Sequence, residues 1–187
     1  TSESGTNTFN HQYWSRGIGW YAAGLVDCIE LMPAGPEKTA LIGKLSKLFD
    51  GMIAFQDVDS GMWYNVVNST AKISDTNSNR LETSGTALMA YAMLKAFNNG
   101  WVGEAYKAAG LKAFNGTVSA KVEGSAGSYS VKDIYKQSGV ETEQSGYCKY
   151  AYVNNEAKGV GPLIMAAVEA NRAIGTAETF KIGVVSA

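Results

Sequence analysis

Apolar residues recur along the chain at helical spacing, and the helical segments are of two alternating kinds. Three segments are apolar around most of their circumference, as expected of helices surrounded by protein, and we call them inner. Two carry a single apolar stripe opposite charged residues, and we call them outer. In chain order the predicted helices are Trp20–Met32 (inner), Glu37–Gln56 (outer), Glu82–Phe97 (inner), Val102 to about Val122 (outer) and Gly159–Ala173 (inner).

The inner segments begin alike, at Gly19, Gly85 and Gly161, which indicates a degenerate repeat of an inner and outer helix pair. The connections into the second and third inner helices, 57–79 and 123–155, are long, whereas the opposite ones, 33–36 and 98–101, are short. If the inner helices run parallel, both long connections emerge at one end of the bundle, where we expect function. We call this end the mouth. The pattern predicts an all-α fold that is part of an α/α toroid, because a closed toroid needs more helix pairs.

Composition and charge exclude several classes of function. The 16 basic and 17 acidic residues give a net charge of −1, which provides no electrostatic footprint for nucleic acid or an anionic membrane. No apolar run approaches the roughly 20 residues needed to span a bilayer, and the first residues lack the features of a signal peptide. We expect a soluble chain without a nucleic-acid or membrane partner. The compartment is not determined by the sequence.

The densest group of candidate functional residues is Trp14-Ser-Arg-Gly-Ile-Gly-Trp20, which leads into the first inner helix and is therefore predicted at the mouth. A carboxylated sugar needs a flat aromatic surface, a guanidinium for its carboxylate and a helix N-terminus, and this segment offers all three. The alternative is that both tryptophans belong to the core and that Arg16 pairs with a structural carboxylate. Spacing alone does not decide between them.

Four motifs in the same order resemble those of glycoside hydrolase family 105, the unsaturated rhamnogalacturonyl hydrolases, and more distantly family 88, the unsaturated glucuronyl hydrolases. The first is similar to the family pattern Trp-x-Arg-Gly-x-Gly-Trp. The others resemble its Gln-Asp, Ser-Gly-Leu-Trp-Tyr loop, its Leu-Glu-Thr-Ser helix start and its Asn-Asp-x-Lys-Gly-Val-Gly segment. They are Trp14–Trp20, Gln56–Val67, Leu81–Tyr91 and Asn155–Gly161.

The resemblance implies an (α/α)6 barrel that removes an unsaturated uronic acid from a lyase-cleaved pectin or rhamnogalacturonan oligosaccharide. In the family one aspartate protonates the C4–C5 double bond, water adds at C5 and the hemiketal collapses, without a metal or organic cofactor. That aspartate precedes the Trp-x-Arg motif. Only 13 residues precede Trp14 here and none is aspartate, so we expect no catalytic acid of the family type in this chain. Trp14, Arg16 and Trp20 are then substrate-binding residues, with Arg16 opposite the uronate carboxylate.

Several other residues have two interpretations each. Trp63, in the first long connection, either stacks on a further sugar or anchors its loop at the surface. Glu82 caps the second inner helix or serves the site, and capping is favoured. Asp57 and Asp59 are the only substitute acids at the mouth, although acidic turns more often cap the backbone. His11 is the lone histidine and has no spacing for a metal site, so we expect none.

Three hypotheses for function follow. The first is a fragment of an unsaturated-uronyl hydrolase, with residues 1–173 forming the C-terminal portion of the barrel domain and 174–187 a tail of unassigned role. The second is a non-catalytic carbohydrate-binding or structural half-barrel. The third is self-association, because a half-barrel exposes the apolar flanks of its inner helices.

Overall fold

A computed structural model of the chain describes residues 10–69 and 79–175. The tail beyond Gly175 therefore lies outside the described residues. None of the described helices combines the length and apolar character needed to cross a membrane. The elements are α1 (Ser15–Leu31), α2 (Pro36–Ile53), α3 (Thr83–Asn98), α4 (Glu104–Lys121), β1 (Val122–Ser125), β2 (Ser128–Val131), β3 (Ile134–Tyr135), α5 (Gln144–Tyr147), β4 (Tyr152–Val153) and α6 (Ala157–Ile174).

Helix α3 is the centre of the bundle and is buried on every side from Thr83 to Ala96. Helix α1 packs along one side of it and α6 along another. At the start of α1, Gly19 lies against Leu88 of α3, and near its end Asp27 bonds Lys95 of α3 at 2.8 Å. These contacts join start to start and end to end, so α1 and α3 run parallel. Helix α6 is also parallel to α3, since Ala87 packs on Leu163 and Asn98 bonds Glu169.

The two remaining long helices cover the outside of this row. Helix α2 packs on α1, and α4 packs on α3 and α6. In α2 the buried residues Leu45, Phe49 and Met52 form one stripe, as the single apolar stripe of an outer helix predicts. The alternation of inner and outer helices is therefore confirmed. Helix α1 starts earlier than predicted, however, so the segment from Ser15 to Trp20 forms its first turns instead of leading into it.

Only α3 is surrounded by protein as the sequence predicted for all three inner helices. Helices α1 and α6 bury one face against α3 and expose apolar residues on the side away from it. The prediction of complete burial fails for them because, among residues 10–69 and 79–175, each is the last inner helix on its side of the row. The exposed residues are Trp20, Tyr21 and Leu31 in α1 and Ile164 and Val168 in α6.

The long connection before α6 contains strands that the sequence analysis did not predict. It contains the antiparallel hairpin β1–β2 and a second two-stranded sheet, β3–β4. The hairpin depends on Gly124 and Gly127, whose φ angles of 125° and 88° favour glycine. Asn155 closes the connection by exchanging two hydrogen bonds with the backbone of Val131. Hydrophobic periodicity does not reveal these strands because they are only two to four residues long.

The contact between α1 and α3 requires a glycine in each helix. A Cβ at Gly85 would lie 2.4 Å from Oγ and 2.7 Å from the backbone carbonyl carbon of Ser15. We predict that Gly85→Ala lowers the free energy of unfolding by about 1–3 kcal/mol, because the helices must separate. Urea unfolding followed by circular dichroism measures this. The control is Gly43→Ala, where a Cβ meets no atom within 4 Å, and there we expect a gain of about 0.5–1 kcal/mol. Equal effects of the two substitutions would contradict the close packing.

Candidate functional site

The N-termini of α1 and α3 meet at the mouth, and the segment 57–69 joins them. Ser15 N donates to Asn65 O at 2.8 Å, and Glu82 N donates to Trp63 O at 2.9 Å. Two helix starts are thus held side by side by backbone hydrogen bonds. Each helix brings the partial positive charge of its N-terminus to the same place. The site is therefore suited to an anionic group before any side chain is considered.

Glu82 is the fully buried carboxylate at the centre of this arrangement. It is the N-cap of α3, and its Oε2 accepts from Gly85 N at 2.6 Å. Its Oε1 accepts from Ser84 Oγ at 2.7 Å and from Tyr135 N at 3.0 Å. The expected capping role is confirmed, and the same side chain also ties β3 to the start of α3.

Arg16 is the partner of Glu82. Its side chain is 4% exposed, and Nη1 lies 3.8 Å from Glu82 Oε1. Nη1 donates to Ser84 Oγ at 3.1 Å and to the carbonyl oxygen of Tyr135. Burial lowers the pKa of Arg16, and the neighbouring Glu82 carboxylate opposes that effect. The pairing of Arg16 with a structural carboxylate, one of the two interpretations of the sequence, is therefore observed.

The predicted tryptophans divide into two groups. The guanidinium carbon of Arg16 lies 4.9 Å from the ring centre of half-buried Trp14, whose Nε1 donates to Asn65 Oδ1. Trp20 lies one helical turn after Arg16 on α1 and is 50% exposed. Trp63 does not join them. It is 0% exposed and its Nε1 donates to Met52 O at 2.7 Å, so it offers no surface for a sugar and anchors the 57–69 segment to α2.

A group of tyrosines beside Arg16 was not selected from the sequence. Tyr135, whose carbonyl binds Arg16, packs its ring on Tyr152 and Tyr150 with centroid distances of 5.2 and 6.3 Å. The guanidinium of Arg80 lies 5.2 Å from the ring of Tyr152. Burial raises the pKa of Tyr152 well above its usual range and that of Tyr135 to about 12, so both phenols are neutral at physiological pH. The density of tyrosines between 147 and 152 was the available signal.

The other candidate residues are either engaged in a turn or exposed. Asp57 Oδ2 accepts from the hydroxyl of Ser60 at 2.6 Å and from its amide at 2.8 Å. The hydroxyl and then the amide hold the pKa of Asp57 below its usual range, which suits a turn and opposes a general acid. Asp59 is exposed, as is His11. Within residues 10–69 and 79–175, no group of three or more His, Cys, Asp and Glu side chains is arranged to hold a metal.

The Arg16–Glu82 pair gives a prediction for stability. Glu82→Gln leaves the buried guanidinium without its counter-charge, so the free energy of unfolding should fall by about 3 kcal/mol or more. Urea unfolding at neutral pH is the measurement. The control is Glu123→Gln, which removes an exposed partner of Lys132 on the β-hairpin and should change stability by less than about 1 kcal/mol. An unchanged urea midpoint in Glu82→Gln would contradict the pairing.

The Asp57 turn gives a prediction for pH dependence. Because its pKa is lowered in the folded chain, ionised Asp57 stabilises the fold above its unfolded pKa of about 3.9, and this contribution is lost as pH falls through the folded value. Ser60→Ala should therefore lose about 1 kcal/mol near pH 7, and the difference from wild type should shrink in acid. The control Ser46→Ala removes a hydrogen bond to the uncharged Ile42 carbonyl, so its effect should not vary with pH. Thermal unfolding across pH distinguishes them.

Comparison with known proteins gives the family. The family model Glycosyl Hydrolase Family 88 matches residues 1–174. Two curated relatives are each 31% identical over 169 residues, covering 83% of this chain and 70% of the relative. They are Protein Atu3128 of Agrobacterium fabrum strain C58 and the 24.9 kDa protein in picA locus of Rhizobium radiobacter.

Solved structures give the architecture. A family 105 glycoside hydrolase from C. acetobutylicum superposes with a TM-score of 0.80 at 28% identity, over 91% of this chain and 48% of that one. A possible family 105 member from Salmonella enterica serovar Paratyphi A superposes with a TM-score of 0.74 at 22% identity, over 86% and 40%, and supports the fold alone. This chain spans about half the length of these structures, and its alternating helices are part of an α/α barrel. The chain belongs to glycoside hydrolase family 88.

Proposed function

We propose that this chain forms the substrate-binding mouth of a hydrolase that acts on unsaturated uronyl residues of lyase-cleaved pectin or rhamnogalacturonan oligosaccharides. The observation that carries the proposal is the placement of Arg16, Trp14 and Trp20 together at the paired N-termini of α1 and α3. Family membership supports a carbohydrate substrate. The unsaturated uronyl group and its pectic origin are the parts that experiment must decide.

Each residue of the mouth has a role in this proposal. Trp20, half exposed, provides the flat surface on which the C–H face of the sugar ring packs. The Arg16 guanidinium, whose Nη1 donates to Ser84 Oγ and to the Tyr135 carbonyl, binds the uronate carboxylate in this proposal through its remaining N–H groups. The two helix N-termini add partial positive charge. Glu82 compensates part of the arginine charge, and selectivity for the carboxylate then depends on directed N–H groups as much as on net charge.

The proposed reaction is hydration of the C4–C5 double bond. An aspartic acid donates its proton to C4, a water molecule attacks C5 and returns a proton to the carboxylate, and the hemiketal at C5 opens to release the remaining sugar. Neither Glu82 nor Asp57 suits the proton transfer, since Glu82 is paired with Arg16 and the pKa of Asp57 is lowered. We assign proton transfer to the family aspartate, which precedes the Trp-x-Arg motif, and substrate positioning to this chain.

One observation favours the second candidate function, a carbohydrate-binding half-barrel without activity. Among the described residues, the two carboxylates that frame the segment 57–82 are both engaged, Glu82 by Arg16 and Asp57 by Ser60. A chain that holds its sugar without an available acid would bind and not turn over. Binding and turnover are therefore measured separately.

The decisive measurement is calorimetric binding of an unsaturated uronyl-rhamnose disaccharide to the 187-residue chain, with its saturated counterpart as the ligand control. We predict that Trp20→Ala weakens binding about tenfold, which corresponds to about 1.4 kcal/mol of lost stacking. The control variant is Tyr129→Ala, which removes a 64% exposed aromatic residue from the β-hairpin and should bind as wild type. Equal binding by wild type and Trp20→Ala would contradict the proposed site.

The same mixtures report turnover, because hydration removes the ultraviolet absorbance of the double bond. If wild type removes the absorbance and Arg16→Ala does not, this chain contains a complete active site. Binding without loss of absorbance is the result expected of a chain that positions its sugar without an available acid, as both candidate functions require. Equal affinity for the saturated sugar would contradict recognition of the unsaturated ring.

A further inference from the structure

We propose that Asn65 is a positioning residue of the mouth, which holds the indole of Trp14 against the guanidinium of Arg16. The inference rests on the proposed function for what the mouth receives, and it adds a residue that the sequence analysis did not select. Asn65 lies in the segment 57–69 and is 0% exposed. It therefore acts on a sugar only through the residues that it binds.

The side-chain amide of Asn65 joins Trp14 to the second long connection. Its Oδ1 accepts from Trp14 Nε1 at 3.0 Å, and its Nδ2 donates to the carbonyl oxygen of Tyr147 at 2.7 Å. An indole N–H only donates and a backbone carbonyl only accepts, so these two partners fix which way round the amide lies. A leucine of similar size could make neither bond. The two contacts together thus specify an asparagine.

The backbone of Asn65 is fixed as firmly as its side chain. Its carbonyl oxygen accepts from Ser15 N at 2.8 Å, and its own amide donates to Arg80 O at 2.8 Å. The first bond ties Asn65 to the start of α1, and the second ties it to the residues that lead into α3. The amide that meets Trp14 is therefore held in place before any ligand arrives, as a positioning residue requires.

The bond to Asn65 determines the orientation of the Trp14 ring. It engages the edge of the indole and leaves a face for Arg16, whose guanidinium carbon lies 4.9 Å from the ring centre. The ring of Tyr147 lies 6.2 Å away, and a Cβ on Gly17 would lie 3.1 Å from Cε3 of the indole. The last side-chain torsion of a tryptophan has broad minima, so the edge bond selects one orientation. Without it, the indole N–H loses its partner and the ring can turn away from the arginine.

Nuclear magnetic resonance of the isotope-labelled 187-residue chain tests the positioning without any ligand. The chain has four tryptophans, so its spectrum shows four indole N–H signals, and the one missing in Trp14→Phe belongs to Trp14. In Asn65→Leu we expect this signal to move upfield and to exchange with solvent about tenfold faster, because its acceptor is gone. The ring-current shift of the Arg16 side chain, which the indole covers, should fall in the same variant.

Two further variants separate positioning from a general loss of stability. Asn65→Asp keeps an oxygen that accepts from the indole and should retain the Trp14 signal and the Arg16 shift. Asn98→Leu removes another amide, which donates to Glu169 O at 2.9 Å and to Glu169 Oε2 at 2.7 Å at the other end of α3. It should lower stability and leave both signals in place. Circular dichroism confirms that each variant folds, and Asn65→Ala replaces Asn65→Leu if leucine does not fit.

Calorimetric binding of the unsaturated uronyl-rhamnose disaccharide then measures what the positioning contributes to the site. Asn65→Leu should weaken binding about tenfold, whereas Asn98→Leu should bind as wild type. In a Trp14→Phe background, Asn65→Leu should change affinity less than about twofold, because the indole N–H through which Asn65 acts is already absent.

The outcomes distinguish this inference from the proposed function. If wild type does not bind the disaccharide, the proposed function fails, and the Trp14 and Arg16 signals alone decide whether Asn65 positions the indole. An unmoved Trp14 signal in Asn65→Leu would overturn the inference even if the sugar binds. Full affinity in a variant whose Trp14 signal has moved, or an equal effect of Asn65→Leu with and without Trp14→Phe, would also overturn it.

Discussion

The buried pair of Arg16 and Glu82 is the interaction on which the mouth of this structure depends. Burying two opposite charges carries a large desolvation cost, and replacement by apolar residues often makes a protein more stable. The pair instead fixes the relative positions of the elements that it joins. One carboxylate accepts hydrogen bonds from the start of α3 and from β3, and one guanidinium joins both to the start of α1. Three separate parts of the chain are fixed to one another within a few ångströms.

The packing beneath this pair follows from the same closeness. Helices α1 and α3 approach until Gly85 touches Ser15 and Gly19 touches Leu88, where no larger residue fits. Small residues in the first turns therefore allow the long Arg16 side chain to reach Glu82 instead of bulk solvent. The charged pair therefore depends on these glycines. They belong to the Trp-x-Arg-Gly-x-Gly-Trp and Leu-Glu-Thr-Ser-Gly segments. Trp20, one helical turn after Arg16, stays exposed beside this contact.

The edges of the bundle present the opposite situation. Helix α3 is buried on every side because it has neighbours on every side, whereas α1 and α6 end the row and leave apolar side chains exposed. Within the described residues, which follow about half of a family 105 structure, no further inner helix lies beyond α1 or α6. The mouth lies at the N-termini of the inner helices, and half-exposed Trp20 belongs both to it and to the exposed face of α1.

The sequence by itself determined the helices, their inner and outer kinds and the family, because periodicity records which face of each helix is apolar and four ordered motifs are specific. It also placed Arg16 and the capping Glu82 at helix starts. Only the tertiary structure decided what those residues contact. Arg16 meets Ser84 and Tyr135 across 68 and 119 residues of sequence. Trp63 and Trp20 were both predicted to bind sugar, yet Trp63 is buried against α2 and Trp20 is exposed. Local patterns carry no information on such distant partners, and the packing of the helices supplies it.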